Sequence, residues 1–493
     1  MNRDNPTRRD VLKNAVLSVG LLTGLPSPCH RNCFAQFGQM QGSPLPIYDD
    51  NPSIRHIQAN CVECGRCRTF CHDVTTVYGH SFALEEDDED SCIYCGQCTL
   101  YCQAEAIAEQ YHYPFVSQAL KNPEKIVVVS TSPAVRVSLG EEFGMAPGTN
   151  VEGKIVSGLK KLGADYVLDT TFAADLTVME EASELVKRLT DGEKNRPQPM
   201  FTSCCPAWVR FAKLFYPKLL PGISRCKSPV MMQGALVKTY FAENYGAQKH
   251  GIDPKKIFHV ALTPCTAKKA EILLPEINAS SKIHGVRHMR DVDVSLTCRE
   301  LALLLKDAKI DFRNLPDADY DPLMGAGSGA GVIFGNTGGV TEAVLRTAYH
   351  LLNGKNPPEH FIRHVETSPV RGLRYGREAT VDLGVRKLKI AMIHGIGFAR
   401  PFLEALQRGE TDHEFVEIMA CPGGCIGGGG QPNNRDLDGN QVRRQRITAL
   451  YKHDTEQKVR LSYENPDIKT IYADFLGKPL GEKSEQLLHV AGR

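Results

Sequence analysis

The chain has 493 residues, enough for two or three domains, and 42% of them are hydrophobic. Its formal net charge is +1, so overall charge gives no reason to expect nucleic acid or a membrane surface as a partner. The 17 cysteines are clustered, and their short C-x-x-C spacings predict metal binding rather than a generic disulfide framework.

The N-terminus has the organisation of a secretory signal. Arg8 and Arg9 precede a weakly apolar run, residues 15–25, that is too short to span a bilayer. The paired arginines resemble the twin-arginine signals, and "CFAQ" at 33–36 offers a loose cleavage site. We therefore predict that residues 1–45 are a signal peptide and linker, that Cys29 and Cys33 leave with it, and that the mature protein is periplasmic. If this segment is instead an ordinary basic N-terminus, the protein is cytoplasmic.

Residues 46–115 are rich in cysteine and poor in large apolar side chains, so metal ligation must supply much of their stability. "CVECGRCRTFC" and "CIYCGQCTLYC" both follow C-x2-C-x2-C-x3-C, the run of two-cluster bacterial ferredoxins, in which the fourth cysteine ligates the other cluster. The predicted ligands are Cys61, Cys64, Cys67 and Cys102 for one 4Fe–4S cluster, and Cys92, Cys95, Cys98 and Cys71 for the second.

Zinc is the alternative occupant of this segment, but eight cysteines in a doubled spacing favour iron–sulfur clusters. His72 and Gln103 replace the proline that usually follows the fourth cysteine, and no ligand is lost. Two adjacent clusters form an electron wire, so we expect redox chemistry in the larger domain. The acidic run at 85–90 is predicted to be a solvated loop, with partner docking as the less favoured use.

From about residue 120 the composition is that of an α/β enzyme. Apolar, β-branched runs predict buried strands, and amphipathic patterns between them predict helices. The predicted strands are 125–132, 164–172, 257–265, 388–396 and 414–421, and the predicted helices include 177–189 and 298–308. Such alternation indicates parallel sheets, and several motifs stand where a strand ends, which is where open α/β sheets bind ligands.

Three cysteine motifs lie far apart in this part of the chain: "TSCCPAW" (202–208), "TPCTAKKAE" (263–271) and "EIMACPGGCIGGGGQP" (417–432). They supply five thiols, and a cubane cluster needs four, so one is spare. Cys204 and Cys205 are adjacent, and neighbouring side chains in an extended stretch point to opposite sides. The glycine run is predicted to pass close to a bulky inorganic group. Lys268 or Lys269 is predicted to donate to an anionic ligand, unless both are surface charges.

These three motifs resemble those that define the FeFe-hydrogenases, and the resemblance runs from about residue 56 to the C-terminus. It implies an α/β fold in which a small α+β ferredoxin-like domain precedes a two-lobed catalytic domain, 120–493, with mixed and parallel sheets. The C-terminal part resembles the family's small subunit. The implied cofactor is the H-cluster, a cubane bridged by one cysteine to a two-iron unit with carbon monoxide, cyanide and dithiolate ligands.

Carried over residue by residue, the resemblance implies roles. Cys205, Cys265, Cys421 and Cys425 ligate the cubane, and Cys425 bridges to the two-iron unit. Lys268 hydrogen-bonds one cyanide, and Pro133 and Ala134 lie near the other. Residues expected around the two-iron unit are Thr263, Phe334 and Met419.

The spare thiol, Cys204, stands in the family beside the bridging amine and transfers protons to it. A general acid must lie within hydrogen-bond reach of the reacting group, so the pattern and the resemblance agree. Glu181 and Glu184 are i, i+3 neighbours on one predicted helical face, and alone they would indicate a solvated face. The family's proton path uses glutamates at these places and a serine that matches Ser224.

The chain departs from the family pattern at Thr263, Asn336, Thr341 and Val230, where methionine, alanine, methionine and glutamine are common. The implied function is reversible oxidation of dihydrogen to protons and electrons. The expected redox partner is a c-type cytochrome if the protein is exported and ferredoxin if it is cytosolic, and maturation proteins build the cofactor. The alternatives are a non-catalytic iron–sulfur assembly factor and a dihydrogen sensor. We predict that Cys226 and Cys298 are buried small hydrophobes without a role.

Overall fold

The computed structural model describes residues 43–80, 91–190, 199–244, 251–358, 361, 368–369, 375–434 and 437–490. The twin-arginine segment, Cys29, Cys33 and the acidic run at 85–90 lie outside these residues. No helix in the described ranges is long and apolar enough to cross a membrane.

Strands occur throughout the described chain and form three sheets. They are β1 (Ile54–His56), β2 (Ile107–Glu109), β3 (Ile126–Thr131), β4 (Tyr166–Asp169), β5 (Met200–Phe201), β6 (Ile257–Leu262), β7 (Val294–Leu296), β8 (Ser368–Pro369), β9 (Gly376–Asp382), β10 (Lys387–His394) and β11 (Phe415–Met419). β1 pairs with β2 in an antiparallel ribbon. One larger sheet has the order β4-β3-β6-β7 and is parallel throughout. The other has the order β5-β11-β10-β9-β8; its first three strands are parallel and the last two join antiparallel.

Helices surround these sheets. They are α1 (Arg66–Thr69), α2 (Gln97–Tyr101), α3 (Tyr113–Leu120), α4 (Glu152–Leu162), α5 (Thr170–Thr190), α6 (Pro206–Phe215), α7 (Pro229–Leu236), α8 (Ala242–Asn244), α9 (Ala267–Glu271), α10 (Ala279–His284), α11 (Cys298–Asp307), α12 (Gly329–Ile333), α13 (Gly339–Asn353), α14 (Ile396–Gln407), α15 (Gly439–Glu456), α16 (Pro466–Ile471) and α17 (Glu482–Leu488). With the strands they give the mixed and parallel α/β fold that the sequence predicts.

The two cysteine runs fold alike. Gly65 and Gly96 adopt left-handed φ angles of 68° and 67°, and each directly precedes the short helix α1 or α2. Cys67 and Cys98, the third cysteines of their runs, are buried in these helices and share a small cluster with Leu45, Ile54 and Ile107. So few apolar side chains form a minimal core, which agrees with the prediction that this part depends on metal ligation.

All five predicted strands extend past their observed C-terminal ends, and the second differs most. The expected strand 164–172 ends at Asp169, and α5 begins at Thr170, seven residues before the predicted start of that helix. The sequence pattern predicted strand here because the first three residues of α5 are buried, as strand residues usually are: Thr170, Thr171 and Phe172. The Asp169 carboxylate accepts the Thr171 N–H at 2.9 Å, and this bond starts the helix.

The C-terminal segment packs against α5. The buried carboxylate of Asp175 accepts hydrogen bonds from the Ser462 hydroxyl at 2.7 Å and the Asn465 amide at 2.9 Å. Five residues after Asp175 on α5, the Glu180 carboxylate hydrogen-bonds the Tyr472 hydroxyl at 2.5 Å and the His489 ring at 2.9 Å. These contacts fix the helix that carries Glu181 and Glu184 from its outer side.

Candidate active site

The cysteine motifs meet at the carboxyl ends of strands from both large sheets. The segment with Cys204 and Cys205 follows β5, that with Cys265 follows β6, and that with Cys421 and Cys425 follows β11. Parallel strands bring such loops to one edge of a sheet, so residues separated by more than 200 positions become neighbours.

The four predicted cubane ligands form one thiol cluster. Burial raises the pKa of Cys265 to about 11, with Cys205 the next contributor. Burial also raises the pKa of Cys421 well above its usual range, and the thiols of Cys265, Cys95, Cys205 and Cys425 add to the rise. Cys205, Cys265 and Cys425 nevertheless keep partly accessible surface, which fits thiols that line an enclosed space.

This donor set fits an iron–sulfur group. Burial and mutual repulsion disfavour the thiolate forms of these cysteines, and bound iron cations would stabilise them. No group of three or more His, Cys, Asp or Glu side chains in the described ranges is arranged to hold a single metal ion. Thiols spread around an enclosed space suit a multi-atom cluster better than one zinc ion.

The ferredoxin-like cysteines pair across the two runs. Burial raises the pKa of Cys67, and the thiols of Cys102 and Cys64 are among its neighbours. Burial raises the pKa of Cys98 too, and there the neighbouring thiols include Cys95, Cys92 and Cys71. The fourth cysteine of each run thus lies beside the other run's thiols, as the predicted ligand sets require.

The two cluster regions of the ferredoxin-like part differ in depth. Cys95 lies beside Cys265 and Cys421, so the set with Cys71, Cys92 and Cys98 is next to the cubane thiols. Cys64, in the other set, is exposed. We call these the proximal and distal cluster sites; together they lead from the protein surface to the buried thiol cluster.

The glycine run is packed by protein atoms. A Cβ on Gly428 would lie 2.2 Å from the Pro264 carbonyl oxygen, and one on Gly429 would lie 2.3 Å from that of Cys95. Close packing against protein backbone is therefore a second reason for glycine at these two positions, beside the predicted inorganic group. Glycines are needed there because the loop passes between the Cys95 and Cys265 loops.

The two predicted lysines are both buried, so the alternative of surface charges is wrong. Lys268 Nζ donates to the Cys204 carbonyl at 3.2 Å and to Glu271 at 2.6 Å. Burial alone would lower the pKa of Lys268, but Glu271 and Cys265 raise it overall, so the amine stays charged. Lys269 pairs instead with Glu300 at 2.6 Å.

The other predicted cofactor contacts surround the same space. Phe334 and Met419 are buried in one apolar cluster with Cys204 and Cys205. Pro133 and Ala134 follow β3 and are buried. The departure at Thr263 has a local explanation, since its hydroxyl accepts the Cys265 N–H at 3.3 Å and shapes that turn.

The spare thiol and the first predicted glutamate are neighbours. Burial raises the pKa of Cys204 well above its usual range, and Glu181 is the largest charge contributing to the rise. Glu181 Oε1 accepts the Ser203 N–H and hydroxyl at 3.1 and 3.2 Å, and Oε2 has no protein partner in the described chain. Burial raises the pKa of Glu181 to about 8, so this carboxyl holds a proton at neutral pH.

The second glutamate extends this series toward the surface. Glu184 Oε2 accepts the Ser224 hydroxyl at 2.7 Å, and Oε1 binds Arg188 at 2.6 Å. Arg225, partly exposed, donates its backbone N–H to the same carboxylate at 3.3 Å. The groups thus run from Cys204 through Glu181 and Glu184 to the edge of the protein.

Sequence reasoning missed three residues of this site. Ser203 holds Glu181, and Arg188 could have been found because it stands four residues after Glu184 on one helix. The third, Glu417, is a fully buried acid that contributes to the raised pKa of Cys204. It accepts the Gly338 N–H at 2.6 Å and the Thr341 hydroxyl at 3.0 Å, which gives the departure at Thr341 a partner.

Cys226 and Cys298 are buried in apolar clusters, as predicted, and each also has polar neighbours. Cys226 lies among Glu184, Glu181 and Glu180, whose charges raise its pKa further after burial. The Cys298 thiol donates to the Gln431 side chain at 3.1 Å. Val230, where glutamine is common in the family, lies on α7 and packs in a small apolar cluster, which explains an apolar residue at this position.

Comparison with known families identifies the parts of the chain. A family described as "Iron only hydrogenase large subunit, C-terminal domain" matches residues 125–429, and "Iron hydrogenase small subunit" matches residues 440–491. A "4Fe-4S binding domain" matches residues 85–108.

Several known proteins are similar over most of the chain. The NADP-reducing hydrogenase subunit HndD of Solidesulfovibrio fructosivorans is 43% identical over 90% of this chain and 74% of its own. The periplasmic Fe hydrogenase large subunit of Nitratidesulfovibrio vulgaris is 44% identical, with 76% and 85% covered. Cytosolic iron-sulfur assembly component 3 of Bos taurus is 31% identical, with 76% and 75% covered. A solved FeFe-hydrogenase from Chlamydomonas reinhardtii is 39% identical with a TM-score of 0.67, covering 77% of this chain and 98% of that one.

Proposed function

This chain belongs to the iron-only hydrogenase family and is an oxidoreductase acting on dihydrogen, and we propose that two ferredoxin-type clusters relay its electrons to a redox partner. Its cofactors are 4Fe–4S clusters and the H-cluster. The observation that carries the proposed relay is the placement of Cys95 beside Cys265 and Cys421, with Cys64 exposed. Each dihydrogen yields two protons and two electrons, so the protein needs one route for each.

The proposed cofactor contacts are those of the thiol cluster. Cys205, Cys265, Cys421 and Cys425 would hold the cubane, and Cys425 would be the ligand nearest the two-iron unit. When bound, the H-cluster supplies the irons at which dihydrogen is split and its electrons are taken up. Lys268 presents a buried positive charge, which suits an anionic ligand such as cyanide.

The proposed proton route uses this chain's own side chains. In the direction of dihydrogen oxidation, Cys204 Sγ receives the proton at the buried end and passes it toward Glu181. Glu184, bonded to Ser224, then carries it toward the surface beside Arg188 and Arg225. Both glutamates are buried, so bulk water does not replace them along this route.

An assembly factor is the second candidate, because the Bos taurus relative carries that name. A protein without turnover has no use for a buried series of ionisable groups. Cys204, Glu181, Ser224 and Glu184 are all present and, with Ser203, lie next to one another. Their placement favours the enzyme.

Replacing Cys98 by serine is expected to disrupt the proximal cluster and slow electron exchange with a protein partner. A small dye that reaches the inner clusters bypasses part of the electron relay, so activity with the dye should fall less than activity with the protein partner. Iron per chain and both activities are measured together. Equal losses with both acceptors, in protein whose other clusters are intact, would argue against a separate relay.

We further propose export through the twin-arginine pattern, with a c-type cytochrome as periplasmic acceptor; the Nitratidesulfovibrio vulgaris relative is named as periplasmic. Replacing Arg8 and Arg9 by lysine should leave the protein in the cytosol with its N-terminus uncleaved. Fractionation and N-terminal sequencing test this. Wild-type protein found in the cytosol with residues 1–35 still attached would refute export and favour ferredoxin as partner.

A further inference from the structure

Arg299 joins the ferredoxin-like part to the catalytic part. Its Nε and Nη2 donate to Glu109, the last residue of β2, at 2.9 and 2.7 Å. Nη2 also donates to the Thr99 hydroxyl at 3.1 Å and the Gly429 carbonyl at 2.8 Å, and Nη1 to the Gln431 carbonyl at 2.8 Å. Only 18% of the Arg299 side chain and 4% of the Glu109 side chain are exposed. One guanidinium thus binds two residues of the small domain and two carbonyls of the large one.

The carbonyls that Arg299 binds belong to residues 427–431, which separate the proximal cluster site from the cubane thiols. On one side, the Thr99 hydroxyl donates to the Gly429 carbonyl at 3.1 Å and the Gln97 amide to that of Gly427 at 2.8 Å. On the other side, the Gly430 N–H donates to the Pro264 carbonyl at 2.9 Å. Together with a direct bond from the Thr266 hydroxyl to the Tyr94 carbonyl at 2.7 Å, this stretch sets the separation between the loops that carry Cys95 and Cys265.

Arginine suits this position for a geometric reason. Its planar guanidinium presents five donors in fixed directions, whereas the lysine ammonium is a compact charge with three donors on a flexible stem. Lysine could keep the charge pair with Glu109, but it could not bind both carbonyls and Thr99 in the same plane. The contacts therefore specify a shape as well as a charge.

We propose that Arg299 is a positioning residue for electron transfer, and that its contacts with Glu109, Thr99 and residues 427–431 fix the distance between the proximal cluster and the cubane. This inference rests on the proposed relay. One electron at a time passes between the two sites, so one is oxidised as the other is reduced. Arg299 itself exchanges neither electron nor proton. Because electron transfer weakens steeply with distance, a small displacement here slows the whole wire.

The test uses Arg299→Lys in the full chain. Protein made without maturation of the two-iron unit, and so holding only 4Fe–4S clusters, is reduced with dithionite and examined by electron paramagnetic resonance. We expect wild-type iron content and a weaker magnetic interaction between the proximal cluster and the cubane. In matured protein adsorbed on an electrode, the current should fall about tenfold relative to dye-linked activity, as is typical for residues that orient metal ligands.

Two further variants make the result decisive. Arg408→Lys, an exposed arginine that pairs with Glu410, should leave both the magnetic interaction and the current unchanged. Thr99→Val removes a single hydroxyl from the same contacts and should shift both measurements in the same direction by a smaller amount. If Arg299→Lys does not fold, Thr99→Val takes its place as the test variant. If Arg299→Lys shows the wild-type magnetic interaction and current, Arg299 does not have the proposed role. If Arg299→Lys does not fold, the same result in Thr99→Val would overturn that role. If wild-type protein shows no magnetic interaction between these clusters, the proposed relay itself is wrong.

Discussion

Cys204→Ala is expected to keep its clusters and lose turnover. Alanine removes the thiol that we place at the buried end of the proton route. A positioned acid–base group typically contributes about 10²–10⁴-fold to a rate, and the loss here should lie at or above the upper end. The electron route is untouched, so the cluster spectra should remain close to wild type.

The adjacent variant, Cys205→Ala, should fail in a different way. Cys205 directly precedes α6 and belongs to the thiol cluster, so its loss leaves one cubane iron without its thiolate. Iron per chain should fall, and activity with it. Cys298→Ala provides the control, because this buried cysteine has no proposed ligand or proton role.

Iron content, infrared bands and dihydrogen evolution measured on all three variants separate these roles. Loss of cubane iron in Cys204→Ala, with retention in Cys205→Ala, would mean that the pair is assigned in reverse. Near wild-type turnover in Cys204→Ala would mean that protons enter elsewhere, and the roles of Glu181, Glu184 and Ser224 would fall with it.

Glu181→Gln should lower turnover by about 10²-fold or more, since an amide cannot release and regain a proton at neutral pH. The matched control is Glu180→Gln, which changes a carboxyl equally buried on the same helix but directed to Tyr472 and His489. The control should retain its clusters and most of its turnover. Equal losses in the two variants would point to damage to α5 rather than to a proton route.

Glu181 also predicts a pH dependence. Its pKa of about 8 lies above the ordinary value of 4.5, so the carboxyl is protonated at pH 7 and loses the proton as pH rises through 8. Dihydrogen evolution needs a protonated donor, and its rate should therefore fall above pH 8.

The same shift means that Glu181 contributes stability below pH 4.5 that is lost as pH rises toward 8, because the folded state holds the proton more tightly. A pH profile in Glu181→Gln that still falls at pH 8 would assign the transition to another group.

The ferredoxin-type ligand sets could be proposed from cysteine spacing, whereas the roles of Cys205, Cys265, Cys421 and Cys425 depended on the family resemblance. C-x2-C-x2-C-x3-C places three thiols around one turn and sends the fourth elsewhere, and Cys71 and Cys102 are indeed beside the opposite run. The positions of the buried strands, though not their ends, were equally accessible, because apolar β-branched runs mark buried strands whatever their partners. The pair Glu181 and Glu184 depended on the family resemblance, since E-x-x-E alone describes many solvated helices.

Contacts between distant segments could not be read from the sequence. Glu417 stands in a strand whose other residues are apolar, and only the approach of Gly338 and Thr341 reveals its function as an acceptor. Arg299 resembles any charged residue in the first turn of a helix until Glu109, 190 positions earlier, lies against it. The packing of the glycine run against Pro264 and Cys95 was hidden for the same reason.

Infrared spectroscopy of the purified, matured protein tests the central claim most directly. Iron-bound carbon monoxide and cyanide absorb where protein does not, so a protein that holds the H-cluster at Cys205, Cys265, Cys421 and Cys425 must show these bands. We predict bands in the matured wild-type protein that change under dihydrogen and are absent from protein made without maturation. Fully matured wild-type protein with intact 4Fe–4S clusters and no such bands would contradict the account and favour the assembly factor.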